Sequence, residues 1–213
     1  MTTINKQDAQ IEWEKKRFAL KIAPYRQTLP NSCGAACLLM ALHWLDQSQF
    51  SLCADMEHVI YRATMYWEGE TVTYPGMAKY ALLSGFGAKM YVRSAVPNCP
   101  YYLSESDYAK FMQVYKRHRA EALKLGMEEI IHDFNLYNLI QDDVKSGHPV
   151  IILARLDSHE MVLHNILIRG HDSNKVLIID PLSGNNRTFI SFLEDKINLS
   201  FFKVALALQP KKM

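Results

Sequence analysis

Cys33 is the side chain of this 213-residue chain with the clearest capacity for nucleophilic chemistry. It lies in the run Asn-Ser-Cys-Gly at residues 31–34, where a polar turn enters a strongly apolar stretch. We expect Ser32 to cap a helix that begins near Cys33, and the positive end of that helix favours a thiolate over a thiol. A lowered pKa is what makes a cysteine reactive near neutral pH. The sequence therefore predicts a nucleophile at Cys33.

Gly34 and Gln27 are expected to serve a substrate at this cysteine. Gly34 has no Cβ, which leaves room for a substrate backbone to approach the sulfur. Gln27 lies upstream of Cys33, and its side-chain amide is a candidate donor to a developing oxyanion. A small buried cysteine at a helix start is the structural alternative for this segment taken alone.

The second half of the chain supplies a candidate base and a carboxylate. Residues 162–170 and 175–181 are β-rich runs joined by turn-forming residues, which predicts a hairpin. If the turn is centred on Asp172, His164 lies opposite Asp180 on the same face of the sheet. A histidine beside a carboxylate is the arrangement that takes a proton from a thiol and keeps the imidazole oriented. The presence of this pair favours a catalytic role for Cys33 over a structural one.

Two further histidines lie close to His164 in the sequence. His159 falls in the polar run Asp-Ser-His-Glu, so we expect it to be exposed, and His171 is expected in the hairpin turn. Only His164 combines a strand position with a facing carboxylate. The sequence therefore predicts His164 as the base.

These residues carry a resemblance to a known family. The chain resembles the papain-like cysteine peptidases that process bacteriocin leaders, the double-glycine leader peptidases, here as a stand-alone member without a transporter. In that family the order Gln, Cys, His, Asp gives the oxyanion donor, nucleophile, base and orienting carboxylate, which implies Gln27, Cys33, His164 and Asp180 here. The resemblance rests on the following segments: Arg26-Gln27, residues 31–40, Gly147-His148-Pro149-Val150-Ile151, His164-Asn165 and Asp180-Pro181-Leu182-Ser183-Gly184.

The resemblance implies an α+β papain-like fold, in which the nucleophile helix packs on an antiparallel sheet. We expect one catalytic domain over residues 1–213 with three parts. Residues 22–92 form the helical half with the nucleophile, residues 93–135 form a helical insertion, and residues 136–213 form the sheet half with the histidine and the aspartate.

The predicted activity is that of a cysteine peptidase acting on a peptide or protein through an acyl-enzyme. The same thiolate chemistry serves deamidases, acyltransferases and peptide transferases, so the substrate does not transfer with the resemblance. A papain-like module that binds a peptide or protein without cleaving it is the alternative from another class. The chain has no apolar stretch long enough to span a bilayer, which argues against a role within a transporter.

Composition and charge narrow the class of protein. The chain is 49% hydrophobic and 22% charged, within the globular range. A formal net charge of +2 argues against a nucleic-acid surface, and the basic runs at residues 15–17 and 116–119 are interleaved with glutamates. The first residues lack the apolar core of a secretory signal. We expect a cytoplasmic protein, with signal-independent export as the alternative.

Cysteine usage agrees with a reducing compartment, because four cysteines are too few for a disulfide framework in a chain of this size. Cys33 and Cys37 lie one helical turn apart, and zinc is a rival interpretation of the pair. No second Cys or His pair with finger-like spacing follows them. We therefore expect no metal and no cofactor, with Cys37 as a small buried residue.

Periodicity and punctuation predict helices before a sheet. Ser104 is expected to cap a long helix that stops at Gly126, with an apolar stripe of Tyr108, Phe111, Met112 and Tyr115. The other expected elements are helices over residues 34–45, 54–66, 75–84 and 136–146, and strands over residues 88–92, 150–156 and 199–208.

Overall fold

The computed structural model of the chain describes residues 17–66, 72–94, 104–132, 139, 142–155, 163–172, 175–190 and 204–211. Eight strands lie within these residues. They are β1 (Phe18–Ala19), β2 (Gly87–Val92), β3 (Glu128–Ile131), β4 (Val150–Arg155), β5 (Leu163–Asp172), β6 (Lys175–Asp180), β7 (Asn185–Ile190) and β8 (Val204–Gln209). They form one sheet in the order β3-β2-β8-β4-β5-β6-β7. In addition, β1 pairs with Gly170 and His171 near the C-terminal end of β5.

The sheet is largely antiparallel, because β2 and β3 are its one parallel pair among the described strands. β8 lies between β2 and β4, although it is the last described strand of the chain. Residues 205–208 of β8 are buried, as are residues 150–152 of β4. A strand that is apolar on both faces is typical of the middle of a covered sheet.

Four helices of at least ten residues lie in the described chain: α1 (Cys33–Leu45), α2 (Ala54–Thr64), α3 (Tyr74–Leu83) and α4 (Glu105–Lys124). Every residue of α1 from Cys33 to Leu42 is buried. A helix that is apolar all round must be covered on all sides. α1 packs on β5 and β4, and α3 packs on β2 and β8. The predicted α+β class, with the nucleophile helix against a mainly antiparallel sheet, is confirmed.

The helix α4 begins and ends at the predicted capping and terminating residues. The Ser104 hydroxyl accepts a hydrogen bond from the backbone N–H of Asp107, and Gly126 ends the turn after the helix with a φ of +94°. Its apolar stripe is confirmed as a small cluster with an added partner, Tyr66, from the segment after α2.

Residues 93–135 also contain an element that the sequence did not predict. β3 pairs with β2 in parallel and forms one edge of the sheet, directly after the helix that was predicted to stop at Gly126. Its four residues, Glu-Glu-Ile-Ile, lack the alternation of a half-buried strand. Met127, just before the strand, is buried in the main core, as is Ala122 of α4.

The expected helix over residues 136–146 is only partly described, because residues 136–138, 140 and 141 lie outside the described residues. Within it Leu139 and Asp142 have helical backbone, and Val144–Ser146 form a single 3-10 turn. Gly147 ends that turn with a φ of +86°, as its position before the strand predicted. No described helix is both long enough and apolar enough to cross a membrane.

Candidate active site

Cys33 is the first residue of α1, and its side chain is buried. The backbone N–H groups of a first helical turn have no partner within the helix, so the sulfur lies at the positive end of the helix dipole. The predicted cap by Ser32 is wrong. Its hydroxyl makes no cap bond and instead lies within hydrogen-bond distance of two acceptors, the carbonyl of Leu29 at 2.9 Å and the carboxylate of Glu57. A nearby carboxylate competes successfully for that hydroxyl because charged acceptors form stronger hydrogen bonds.

Several groups stabilise the ionised sulfur of Cys33. Burial acts to raise the pKa of the Cys33 thiol, but the hydrogen bond and positive charge of His164 lower it, as do donors from Asn165. The net effect is a pKa below the ordinary value of a cysteine. The predicted nucleophile therefore lies in surroundings that favour the reactive thiolate.

His164 and Asp180 are in direct contact, as predicted. The imidazole Nε2 lies 2.9 Å from Asp180 Oδ1, and both side chains are buried. The same carboxylate oxygen accepts the backbone N–H of Leu182 at 2.9 Å, which fixes the carboxylate in the turn after β6. Burial acts to lower the pKa of His164, but the bonds to Asp180 and Cys33 outweigh it and raise that pKa to about 9. With Nε2 on the aspartate, Nδ1 is the ring nitrogen left to exchange a proton with the sulfur.

The hairpin that carries this pair forms, but the predicted register is wrong. Asp172 is not the centre of the turn; it is the last residue of β5 and pairs with Lys175. An irregularity between Ile168 and Gly170 adds one residue to β5. Such a bulge is a local choice of the backbone that alternation of apolar residues does not reveal.

The contact survives this error because the shift is even. Leu167 pairs with Ile179, so continuing that register places His164 two residues along from the position facing Asp180. Side chains alternate between faces, and a two-residue shift therefore leaves both groups on the same face. Diagonal neighbours on adjacent strands remain within reach of a histidine and an aspartate.

The other two histidines have different outcomes. His171 is not in the hairpin turn as expected; it lies within β5, pairs with Phe18 and Val176, and is fully buried. Burial, followed by the charge of Lys145, lowers its pKa. His159 lies outside the described residues, so its exposure stays a prediction.

Gln27 is tied to both halves of the site through its backbone and side chain. Its backbone N–H donates to the carbonyl of Pro181, the residue after Asp180, at 2.9 Å. Its side-chain Nε2 donates to the carbonyls of Leu29 and Pro30 at 2.8 and 2.9 Å. The buried Oε1 has no hydrogen-bond partner among the described residues. The amide thus rests on the loop before Cys33.

Glu57 is a part of this site that sequence reasoning missed. Its fully buried carboxylate accepts the hydroxyl of Tyr25, the backbone N–H of Thr28 and the Thr28 hydroxyl, at 2.9, 3.0 and 2.7 Å, besides its contact with Ser32. Burial and the neighbouring carboxylate raise the pKa of the Tyr25 phenol. Glu57 therefore holds the loop that contains Gln27. A lone glutamate on a polar helix carries no sequence signal for this role.

Asn165 is the second missed residue, and here a signal was present. It is a polar residue in an apolar strand, directly after His164, and it contacts the Cys33 sulfur. The expectation for Gly34 is also corrected. A Cβ there would lie 2.3 Å from Val72 Cγ2 and 3.2 Å from Asn165 Nδ2, so protein atoms fill the space expected for substrate.

Cys37 is fully buried one turn after Cys33, as expected. Burial raises its pKa well above the ordinary value, followed by the charges of Cys33 and Asp180. Within the described residues no group of three His, Cys, Asp or Glu side chains is arranged to hold a metal ion.

The sequence of the chain matches that of a known protein family. The sequence profile of the family described as Peptidase_C39 like matches residues 22–203. The chain belongs to that family. The C39-like assignment agrees with the coarse resemblance to papain-like peptidases drawn from the Gln, Cys, His, Asp order. Processing of bacteriocin leaders stays a prediction.

Among solved structures, the chain is similar to the crystal structure of a Bacillus anthracis protein provisionally assigned as a C39-like peptidase. The two share 16% sequence identity with a TM-score of 0.48, over 93% of this chain and 100% of that one. No curated protein matches the chain.

Proposed function

We propose that this C39-like protein is a thiol-dependent amide-bond hydrolase, a cysteine peptidase that acts through an acyl-enzyme. The observation that carries the proposal is the buried contact between His164 and Asp180 beside Cys33, with the pKa of the thiol lowered and that of the imidazole raised. Opposed shifts of this kind hold the pair as thiolate and imidazolium, which is the resting state that nucleophilic thiol catalysis needs.

The reaction follows from the positions of these groups. The Cys33 thiolate attacks the carbonyl carbon and forms a C–S bond, while the carbonyl oxygen becomes an oxyanion. The imidazolium of His164 gives its proton to the leaving nitrogen as the C–N bond breaks. Water then attacks the thioester while His164 takes one of its protons, and the acid departs as the C–S bond breaks. Asp180 keeps the ring oriented and stabilises its charge in both steps.

The oxyanion donors in this proposal are the backbone N–H of Cys33 and the side-chain amide of Gln27. The first is free of helical partners by its position at the start of α1. The second must release one of its two bonds to the carbonyls of Leu29 and Pro30. Its buried, unpartnered Oε1 supports such a movement, because a conformation that leaves a buried acceptor unsatisfied is less stable than a fully bonded one.

Hydrolysis of a mixed peptide pool, read by mass spectrometry, tests the proposal. We expect the wild-type protein to cleave a subset of peptides and Cys33→Ala to cleave none, with its Tm retained. Cys53→Ser is the matched control, because it removes an exposed free thiol outside the site. Product that carries the mass of a transferred acyl group would instead indicate a transferase. The absence of any acyl-enzyme or product, with Cys33 no more reactive than Cys53 toward an electrophilic peptide, would favour the non-catalytic binding module.

A further inference from the structure

Asn165 has an unusual set of contacts for a residue that adjoins a catalytic base. It is buried in β5 with 2% of its surface exposed. Four of its polar groups, two from the backbone and two from the side chain, meet three other side chains at the start of α1 and α3. A buried asparagine in an apolar strand is costly unless such partners are present.

Two donors of Asn165 converge on one sulfur. The side-chain Nδ2 lies 3.3 Å from Cys33 Sγ, and the backbone N lies 3.5 Å from the same atom. Hydrogen bonds that are made to the charged form of a group favour that form. Both donors are neutral, so they stabilise the thiolate without adding a charge of their own.

Tyr74, at the start of α3, sets the direction of the Asn165 amide. Its hydroxyl donates to Asn165 Oδ1 at 2.8 Å. Burial, followed by the charges of Cys37 and Cys33, raises the pKa of Tyr74 well above the ordinary value, so the phenol remains a donor. A donor on Oδ1 requires the NH₂ end of the amide to point away from Tyr74 and toward the sulfur.

Asn165 has the opposite effect on the protonation of Cys37. The Cys37 thiol donates to the backbone carbonyl of Asn165 at 3.5 Å. An acceptor favours the protonated thiol, whereas the donors on Cys33 favour the thiolate. Asn165 thus distinguishes two buried sulfurs that are one helical turn apart. Gly34 leaves room for the Asn165 amide beside Cys33, because a Cβ at residue 34 would lie 3.2 Å from Asn165 Nδ2.

We propose that Asn165 is a further catalytic residue, which holds the Cys33 sulfur as a thiolate, and that Tyr74 is the positioning residue that aims its amide. The inference rests on the proposed function and deepens it. The donors of Asn165 lose no proton in the reaction, so they remain in place after His164 has protonated the leaving nitrogen. In the second step, when the C–S bond breaks, they receive the departing thiolate.

The groups that act on the Cys33 charge come from every packed element. His164 of β5 favours the thiolate, Cys37 of α1 is neutral as a thiol, and Tyr74 of α3 is a neutral phenol. Asp180, at the end of β6, acts through the imidazole that it contacts. A change at Asn165 therefore leaves the charged partner His164 in place, and its effect on Cys33 can be separated from that of the histidine.

The pH dependence of Cys33 alkylation by iodoacetamide tests the inference in the intact protein, with the modified peptide identified by mass spectrometry. We expect Asn165→Ala to raise the midpoint by about one pH unit, which lowers alkylation about tenfold below the midpoint. Tyr74→Phe should shift it in the same direction by less, because the amide remains but is free to turn. Tyr91→Phe is the matched control: it removes another buried phenol, bonded to Asp143 at 2.5 Å, and should leave the midpoint unchanged.

A wild-type midpoint in folded Asn165→Ala would overturn the inference. If that variant does not fold, the near-isosteric Tyr74→Phe decides, and a wild-type midpoint there overturns the inference in the same way. Alkylation needs no substrate, so its result is independent of the peptide assay. A shifted midpoint in a protein that cleaves no peptide would reject the proposed hydrolase and retain the role of Asn165 on the thiolate.

Discussion

At the scale of single residues, the site depends on two buried groups that stabilise each other's charge. A buried thiolate alone or a buried imidazolium alone would be costly, because burial disfavours the charged form of each. Cys33 and His164 are neighbours, and Asp180 adds a negative charge on the far side of the ring. The three groups form one coupled system, so a change at one partner is felt as a pKa shift at the others.

Asp180→Asn should lower the pKa of His164 from about 9. The reason is that Asp180 contributes both a hydrogen bond and a negative charge that favour the imidazolium, and a nearby opposite charge shifts a pKa by about 1–3 units. Activity should fall on the alkaline side first, since a neutral imidazole has no proton for the leaving nitrogen. An NMR titration of the His164 ring measures the midpoint directly, without a substrate.

His118 provides the internal reference for this titration. It is buried in contact with Thr73, and burial, followed by the charge of Lys79, lowers its pKa to about 4. The groups that shift its pKa are Lys79, Arg117 and Glu121 besides burial, so its midpoint should be the same in both proteins. An unchanged His164 midpoint in Asp180→Asn would show that Asp180 does not set the charge of the ring.

At the scale of elements, sequence patterns predicted the presence of helices and strands better than the register in which the strands pair. The helix after Ser32 and the strands of the β5–β6 hairpin were predicted from apolar periodicity and turn residues. The bulge near Arg169 was not, since one extra residue leaves the composition of both strands unchanged. The contact between His164 and Asp180 was still predicted correctly, because a two-residue shift in register keeps both side chains on the same face of the sheet.

Sequence patterns were equally unable to predict the hydrogen-bond partners of some polar side chains. The sequence predicted Ser32 as a cap because a serine before an apolar helix usually has that role. Its actual partners are Leu29 and Glu57, and the second lies on another helix. Local patterns cannot show a buried carboxylate that arrives from elsewhere in the fold. The contacts of Glu57 and Tyr74 were missed for a similar reason, because their partners lie on other elements, whereas Asn165 carried the signal of a polar residue in an apolar strand.

Gly34→Ala should destabilise the protein, although alanine is the better helix former by about 1 kcal/mol. The new Cβ would lie 2.3 Å from Val72 Cγ2, and overpacking of this kind costs about 1–3 kcal/mol. The clash should therefore outweigh the gain in helix propensity. Urea unfolding measures the loss of free energy.

The double variant Gly34→Ala/Val72→Ala identifies the cause. Removing the Val72 methyl groups relieves the shortest contact, so the two substitutions together should destabilise less than the sum of their separate effects. The second contact, 3.2 Å to Asn165 Nδ2, remains, and activity should recover less than stability. Additive losses would mean that the clash with Val72 is not what the glycine avoids.

At the scale of the whole molecule, the site joins parts of the chain that the sheet holds together. Tyr74 lies on α3, which packs on β2 and β8, whereas Asn165 and His164 lie on β5. Between these parts lies β8, paired with β2 along one edge and with β4 along the other. The sequence predicted a last strand but not its central place, because strand order is a property of the completed sheet.

Removal of residues 204–213 should abolish cooperative folding. These residues include β8, whose residues 205–208 are buried, and their loss would leave β2 and β4 with unpaired backbone groups in the middle of the sheet. Buried backbone groups without partners are among the costliest defects in a fold. Thermal unfolding followed by circular dichroism should show no cooperative transition in this variant.

Removal of residues 210–213 alone is the matched control, and it should change the Tm little. Within the part of the tail that the structure describes, it removes the side-chain contacts of Lys211, which are an exposed ion pair with Asp46 at 2.8 Å and a position over the Phe86 ring. Exposed ion pairs contribute little to stability because water screens them. A longer truncation that still unfolds cooperatively, with Cys33 as reactive toward iodoacetamide as in the wild type, would show that β8 is dispensable. The two sides of the site would then be held together by α1, which packs on both α3 and β5, and by the hydrogen bond from Tyr74 to Asn165.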